Sequence, residues 1–186
     1  MANQAWTFET LVQASRPTLE QVLVASQAPD FAQLDGYVYD GFNCQAARYI
    51  RLPATKFRKA FFQRAGMPYG LNQIVHPDDK NPSGEWNVQM KNGRPVETGF
   101  FKVAPVAETS AAQRFARYRS LISLDYNVDP NPRWHLVMRA IYDIVGLPNA
   151  GDYNVLLGKA YLRLLPGQYV FASYFVLGRR TPYHRA

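Results

Sequence analysis

The chain has 186 residues, a net charge of +7 and one cysteine, Cys44. It is therefore long enough to bury a full apolar core and cannot be a disulfide scaffold. With 47% apolar and 19% charged residues it is not a disordered chain either. Aromatic residues reach 14%, with 12 Tyr and 11 Phe beside 13 Pro and 12 Gly, a mixture that favours short strands joined by turns over a helical bundle.

Residues 7–26 read as a short helical arm. Phe8, Leu11, Val12 and Ser15 follow helical spacing, Pro17 interrupts, and Thr18 can cap a second helix through Leu19, Val22 and Leu23. Thr7 can cap the first helix, but Thr10 stands where a capping box would have Glu. From Leu34 the texture turns to aromatic and β-branched residues. Residues 34–42 read as a strand, 46–63 as strands on either side of Pro53, and 70–75 as a short strand. Residues 76–84 are a loop of turn-forming types.

Trp86, Val88 and Met90 alternate as one face of a strand, and Asn92-Gly93 is a hairpin signal leading to a strand over 96–106, with Pro95 pointing to a bulge. Residues 114–128 read as the next strand. Residues 134–145 fit both periods, and the strands that follow favour a strand there too. These are 153–164 and 168–177, joined by Pro166-Gly167. Eight to ten strands in a row need their edges covered, and closure into a barrel does that. The expectation is thus one domain over 1–186: a helical arm (1–33), a closed antiparallel β-barrel (34–180) and a tail (181–186). A two-sheet β-sandwich is the alternative.

The segments Asn154-Val155-Leu156-Leu157-Gly158-Lys159-Ala160-Tyr161-Leu162 and Tyr174-Phe175-Val176-Leu177-Gly178-Arg179 resemble the closing strands of uncharacterised bacterial lipocalin-like, calycin-type β-barrel proteins. Gly36-Tyr37-Val38-Tyr39-Asp40-Gly41 is similar to the first strand of lipocalins, with Tyr37 and Tyr39 in place of tryptophan. The resemblance covers mainly residues 153–180. It implies a closed barrel with an inner cavity, and no particular ligand, because such barrels host many functions. It also implies that Arg179 or Arg180 stacks on Trp6, Tyr37 or Tyr39 at the barrel base, worth about 1 kcal/mol.

Candidate ligand-binding residues are Tyr39, Arg139, Tyr142, Tyr161, Arg163 and Tyr174. Arg and Tyr inside an apolar barrel would hold an acidic head group while the wall buries an apolar body. The plainer alternative is that Lys159, Tyr161 and Arg163 face water. Asp40, Asp125 and Asp143 are candidate general acids or bases if one of them points inward. Cys44 reads as a small packed residue rather than a nucleophile. The three histidines, His76, His135 and His184, show no metal-ligand spacing, although Asp78 and Asp79 lie close to His76. No cofactor motif occurs.

Three functions remain in order. The first is a protein that binds a small hydrophobic or amphipathic molecule. The second is a metal-independent barrel enzyme working by acid–base chemistry. The third is a binder of nucleic acid or an anionic surface through the Arg114–Arg119 cluster. No apolar run approaches the roughly 20 residues of a membrane helix, and Met1–Thr10 has no secretory pattern, so a cytoplasmic location is the default expectation.

Overall fold

The computed structural model describes residues 5–50, 54–76 and 80–184, and in it the two ends of the strand array meet. Eight strands close an antiparallel barrel: β1 (Tyr37–Cys44), β2 (Lys56–Arg64), β3 (Met67–Ile74), β6 (Glu97–Pro105), β7 (Ile122–Asp125), β8 (Ile141–Gly146), β9 (Leu156–Leu165) and β10 (Gln168–Pro182). A two-stranded hairpin, β4 (Met90–Lys91) and β5 (Arg94–Pro95), stands outside it. Going round, the barrel order is β1-β10-β9-β8-β7-β6-β3-β2, with β1 pairing β10 to close the ring. No barrel strand is left with an open edge.

The side chains separate into an inner and an outer set, as period-two alternation requires. Tyr39, Phe61, Phe101, Val103, Leu124, Val145, Leu156, Phe175 and Leu177 form the inner cluster. The outer faces of β1, β8, β9 and β10 are also apolar (Phe42, Ile144, Leu157, Val176) and are covered by the helical arm. α1 (Phe8–Gln13) and α2 (Arg16–Ala25) bury Phe8, Leu11, Leu19, Val22 and Leu23 there.

The caps are local chemistry. Thr10 completes a capping box with Thr7, its hydroxyl replacing the expected Glu. Ser15, not Thr18, caps α2, which puts Pro17 in the first turn where its missing N–H costs nothing. A third helix, α3 (Phe31–Leu34), capped by Asp30, leads into β1 at the barrel base. The sequence pattern had not signalled it.

Four further expectations are corrected. Residues 86–90 are not a strand: Val88 makes an isolated bridge to Val75. Trp86 is buried, with its indole N–H donating to the Gly41 carbonyl at 3.1 Å, whereas Met90 is exposed. The segment wraps the barrel instead of joining it. Of 114–128 only Ile122–Asp125 is a strand. Val106, Ala111, Phe115, Tyr118 and Leu121 are buried from two short 3₁₀ helices and the turns around them, at spacings of three to five residues that suit turns, not a strand.

Residues 134–145 use both periods in succession: α4 (Leu136–Ala140) and then β8. Within 46–63 the described residues before Pro53, 46–50, are not a strand, whereas β2 begins at Lys56; residues 51–53 lie outside the described residues. The Asn92-Gly93 hairpin forms, with φ of +53° and +74°, the left-handed pair a type I′ turn needs. β10 runs on to Pro182, past the expected end of the barrel.

Three cross-strand pairs shape the interior: Gly41 opposite Phe57, Gly70 opposite Phe101, and Gly158 opposite Phe175. Each ring lies over its glycine, so closely that a Cβ on Gly158 would sit 2.0 Å from Phe175 Cζ. The glycines let the rings fold across the wall instead of filling the centre. Gly158→Ala should therefore cost about 1 kcal/mol in urea unfolding, the low end for overpacking because Phe175 can retreat into open space.

A bulge closes the base. Val38 pairs Thr181 and Asp40 pairs Gly178, so Tyr39 faces both Arg179 and Arg180, and Arg179 takes φ of +51°. Arg180 stacks on Tyr37, 3.3 Å from the ring centroid, while Arg179 lies over Trp86 at 4.6 Å. The base contact implied by the lipocalin resemblance is thus made by Arg180 on Tyr37.

Candidate functional site

β2 carries the sequence Phe57-Arg58-Lys59-Ala60-Phe61. Alternation turns Phe57, Lys59 and Phe61 to one face and Arg58 and Ala60 to the other. The barrel interior receives the first set, so a lysine stands in the middle of an aromatic core. Lys59 lies opposite Tyr39 on β1 and Asn72 on β3 and is 1% exposed.

Above it is a cavity of about 400 Å³, open between the β1–β2 connection, the end of β3 and α4. Its walls are largely apolar: Ile74, Val75, Met138, Ile141, Ala160, Leu162 and Phe175. Trp134, Leu136 and Val137 stand exposed beside this mouth. Lys59, Asn72, Tyr126 and Asp143 line the floor of the cavity, and Asn43, Lys56, Gln73, Thr98, His135 and Ser173 border it elsewhere.

Lys59 Nζ donates to Asn72 Oδ1 at 3.0 Å, to the Tyr126 hydroxyl in a short hydrogen bond, and to Asp143 Oδ2 at 3.4 Å. The Tyr126 hydroxyl in turn donates to Asp143 Oδ2 at 3.2 Å. Phe101, Phe175 and Phe57, the rings folded over the glycines, surround the ammonium at 4.7, 5.3 and 5.4 Å from their centroids. A cation held this way gains from ring quadrupoles and one carboxylate together.

Burial pulls the Lys59 pKa down, and Asp143 opposes that pull. Burial also pushes the Asp143 carboxyl up, with Lys59 opposing. Proton transfer from the ammonium to the carboxylate is thereby made easier than in water. Asp143 Oδ1 has no hydrogen-bond partner among the described residues. A buried acceptor of that kind is costly unless something donates to it.

Of the residues expected to form the site, only Asp143 lies on this floor. Tyr161 borders the cavity; the others lie elsewhere. Asp40 is on the outer face, ion-paired with Arg58 at 2.9 Å. Asp125 pairs with Arg163 at 3.2 Å, which occupies both residues. Arg139 braces the 126–133 loop through the carbonyls of Val128 and Asn131.

Tyr142 stacks outward on Phe115 at 5.3 Å, and the ring of Tyr161, a residue bordering the cavity, also packs on Phe115 at 4.8 Å. Tyr174 donates its hydroxyl to Glu20 of α2, outside the barrel. Tyr39 points inward but is sealed near the base, its hydroxyl without a hydrogen-bond partner among the described residues. On β9 it is Gly158, Ala160 and Leu162 that face in, the reverse of the face expected to bind. Lys59, Tyr126 and Asn72 were not anticipated. The signal for Lys59 was in the sequence: it shares a period-two face with Phe57 and Phe61.

Outside the wall a second polar cluster fastens the arm. Glu20 accepts from Tyr118 at 2.5 Å, Lys159 at 2.7 Å, Arg117 at 2.8 Å and Tyr174. Burial works to raise its pKa, but the hydrogen bonds from Lys159, Tyr118 and Tyr174 outweigh it, and the result is about 2. Phe115 and Tyr118 are buried, so the aromatic residues of the Arg114–Arg119 cluster offer no face on which a base could stack.

Cys44 is buried and free, its thiol pushed up by burial to about 12, which leaves it unreactive. Among the described residues no three His, Cys, Asp or Glu side chains gather at a metal-binding distance; Asp78 and Asp79 lie outside them. Among the same residues no helix is long and apolar enough to cross a membrane.

Fold and site together define a closed eight-stranded antiparallel barrel with one open end and a charged floor, compatible with the lipocalin-like architecture. Compared with known proteins, the chain matches no family model, no curated protein and no solved structure.

Proposed function

We propose that the protein binds a small, largely apolar molecule inside the barrel, its single polar group down against Lys59, Tyr126 and Asp143. The observation that carries this reading is an apolar cavity of about 400 Å³ ending on a buried acceptor, Asp143 Oδ1, that no described residue satisfies. Apolar walls contribute affinity by area and a few convergent polar groups fix orientation. The charge on Lys59 is already balanced by Asp143, so a neutral head, a hydroxyl or a carbonyl, suits the floor best. An acid head of the kind suggested by the sequence sits there only with Asp143 protonated, because a second buried anion would be unbalanced.

Native mass spectrometry of the purified protein, followed by titration with the neutral fluorophore N-phenyl-1-naphthylamine, tests the reading. Fluorescence enhancement with one site per chain is expected. Ala160→Trp, which fills the cavity beside Asp143, should weaken it by at least about tenfold, or about 1.4 kcal/mol, with the fold retained. Equal binding by both forms would place the fluorophore elsewhere and count against the cavity.

A second reading rests on Asp143. A carboxyl with a raised pKa beside a tyrosine on a cavity floor can act as an acid–base pair on a bound hydrophobic substrate without a metal. Its mark would be a proton-transfer activity abolished by Asp143→Asn while ligand affinity is kept.

A further inference from the structure

We infer that Lys59 is a covalent anchor: its amine condenses with an aldehyde ligand to form an imine on the cavity floor. The inference rests on the cavity-binding reading above and adds a reaction to it. Three features support it. Lys59 is the inward member of its strand and lines the cavity, at a depth where a ligand entering from the mouth meets it head first. The groups touching its Nζ are those an imine needs. Tyr126 and Asp143 hydrogen-bond each other and the amine, so a proton has a short path among all three. The third is the ring of Phe101, Phe175 and Phe57 around Nζ, which stabilises a positive nitrogen whether it is an ammonium or a protonated imine.

The step balances within the site. Asp143 takes a proton from the ammonium, leaving a neutral amine. The nitrogen lone pair attacks the aldehyde carbon, a C–N bond forms, and the carbonyl π bond breaks. Tyr126 passes a proton from nitrogen to oxygen, giving a carbinolamine. Its hydroxyl group is protonated by Asp143, the C–O bond breaks and one water leaves. The product is a protonated imine with the Asp143 carboxylate as its counter-ion. No oxidant or metal is consumed. Burial favours the first transfer, since it disfavours the charged forms of both Lys59 and Asp143. Asp143 Oδ1, which no described residue engages, can hold the proton while Oδ2 stays with Lys59 and Tyr126.

The chain has six lysines, which makes site selectivity the readout. The full-length protein is incubated at neutral pH with trans-cinnamaldehyde and sodium cyanoborohydride, and the adduct is mapped by peptide mass spectrometry. Separately, the binding of cinnamyl alcohol, which cannot condense, is measured by calorimetry. The expected result is one cinnamyl group per chain, on Lys59, suppressed by excess cinnamyl alcohol. Cinnamyl alcohol binding without labelling of Lys59, or labelling confined to Lys56, which borders the same cavity, or to the exposed Lys80, Lys91 and Lys102, would overturn the imine at Lys59 and leave the binding reading standing. Neither binding nor labelling would overturn both. Lys59→Arg should bind the alcohol unlabelled; mapping on the unaltered protein decides the matter even if that variant does not fold.

Discussion

Asp143→Leu should cost the barrel about 3–5 kcal/mol, and adding Lys59→Met should return most of the loss. The single change removes the carboxylate that, among the described residues, pairs with an ammonium that is 1% exposed. Breaking one side of a buried pair leaves an uncompensated charge, and the loss is then far larger than the net worth of the pair. With methionine at 59 the charge is gone, a flexible apolar chain occupies the same space, and Tyr126 keeps its hydrogen bond from Asn72 at 3.3 Å. Urea midpoints of the two single variants and the double variant measure the coupling directly. A double variant no more stable than Asp143→Leu would show that the pair does not act as a unit. Recovery would show that the ion pair is kept at the cavity floor for a reason other than stability.

Glu20→Gln should lower stability at pH 7 by about 2 kcal/mol and remove part of the acid sensitivity. The sign follows from the depressed pKa of about 2 against an ordinary 4.5. The folded protein holds the proton less tightly than the unfolded chain, so the stabilisation is complete above pH 4.5 and is lost as pH falls towards 2. A shift of that size corresponds to about 3 kcal/mol, reduced to about 2 by screening at a carboxylate that is one-fifth exposed. Asp143 works in the opposite sense, since its raised pKa makes the folded state the better proton binder just above the ordinary Asp range. Unfolding free energies measured between pH 2 and 7 should converge for the two proteins at the acid end. Parallel curves would mean that Glu20 does not carry the dependence.

The barrel was legible because both of its ends wrote period-two patterns: β9 and β10 at the end and β1 at the start, with turn residues between them. The elements that were missed share one cause. Phe115 and Tyr118 look like strand residues by composition, yet they are buried from a turn and the 3₁₀ helix that follows it, against the outer wall, and aromatic content does not tell one wall face from the other. The same ambiguity misplaced the site. On β9 both faces are buried at Leu156 and Leu157, one by the core and one by the arm, so polarity cannot say which is inside. Of the Arg and Tyr side chains expected to contact a ligand, Tyr174 fastens α2 through Glu20, Arg139 and Arg163 brace loop and strand neighbours, Tyr142 and Tyr161 pack on Phe115, and Tyr39 is sealed near the base. Asp143 is legible as a possible buried acid, whereas its partner Lys59 stands in the basic segment Lys56-Phe57-Arg58-Lys59, whose charges mask its phase. Only its strand phase with Phe57 and Phe61 set it apart.

The bulge at Tyr39 has a consequence for tolerance to change. By inserting one residue it reverses the alternation beyond Gly178, so that Arg179 stays on the outer side of the wall and Arg180 turns to the base. Arg179 clamps the outer wrap through Trp86 and the carbonyls of Pro82 and Gly84, and Arg180 plugs the base through Tyr37 and the carbonyl of Gln33. What holds those two regions is thus a count of residues more than a choice of them. Swapping either arginine for lysine would weaken one clamp. Lengthening β10 by one position ahead of Gly178 would reverse the parity of everything downstream and present each clamp to the wrong side, loosening cover and plug at a stroke.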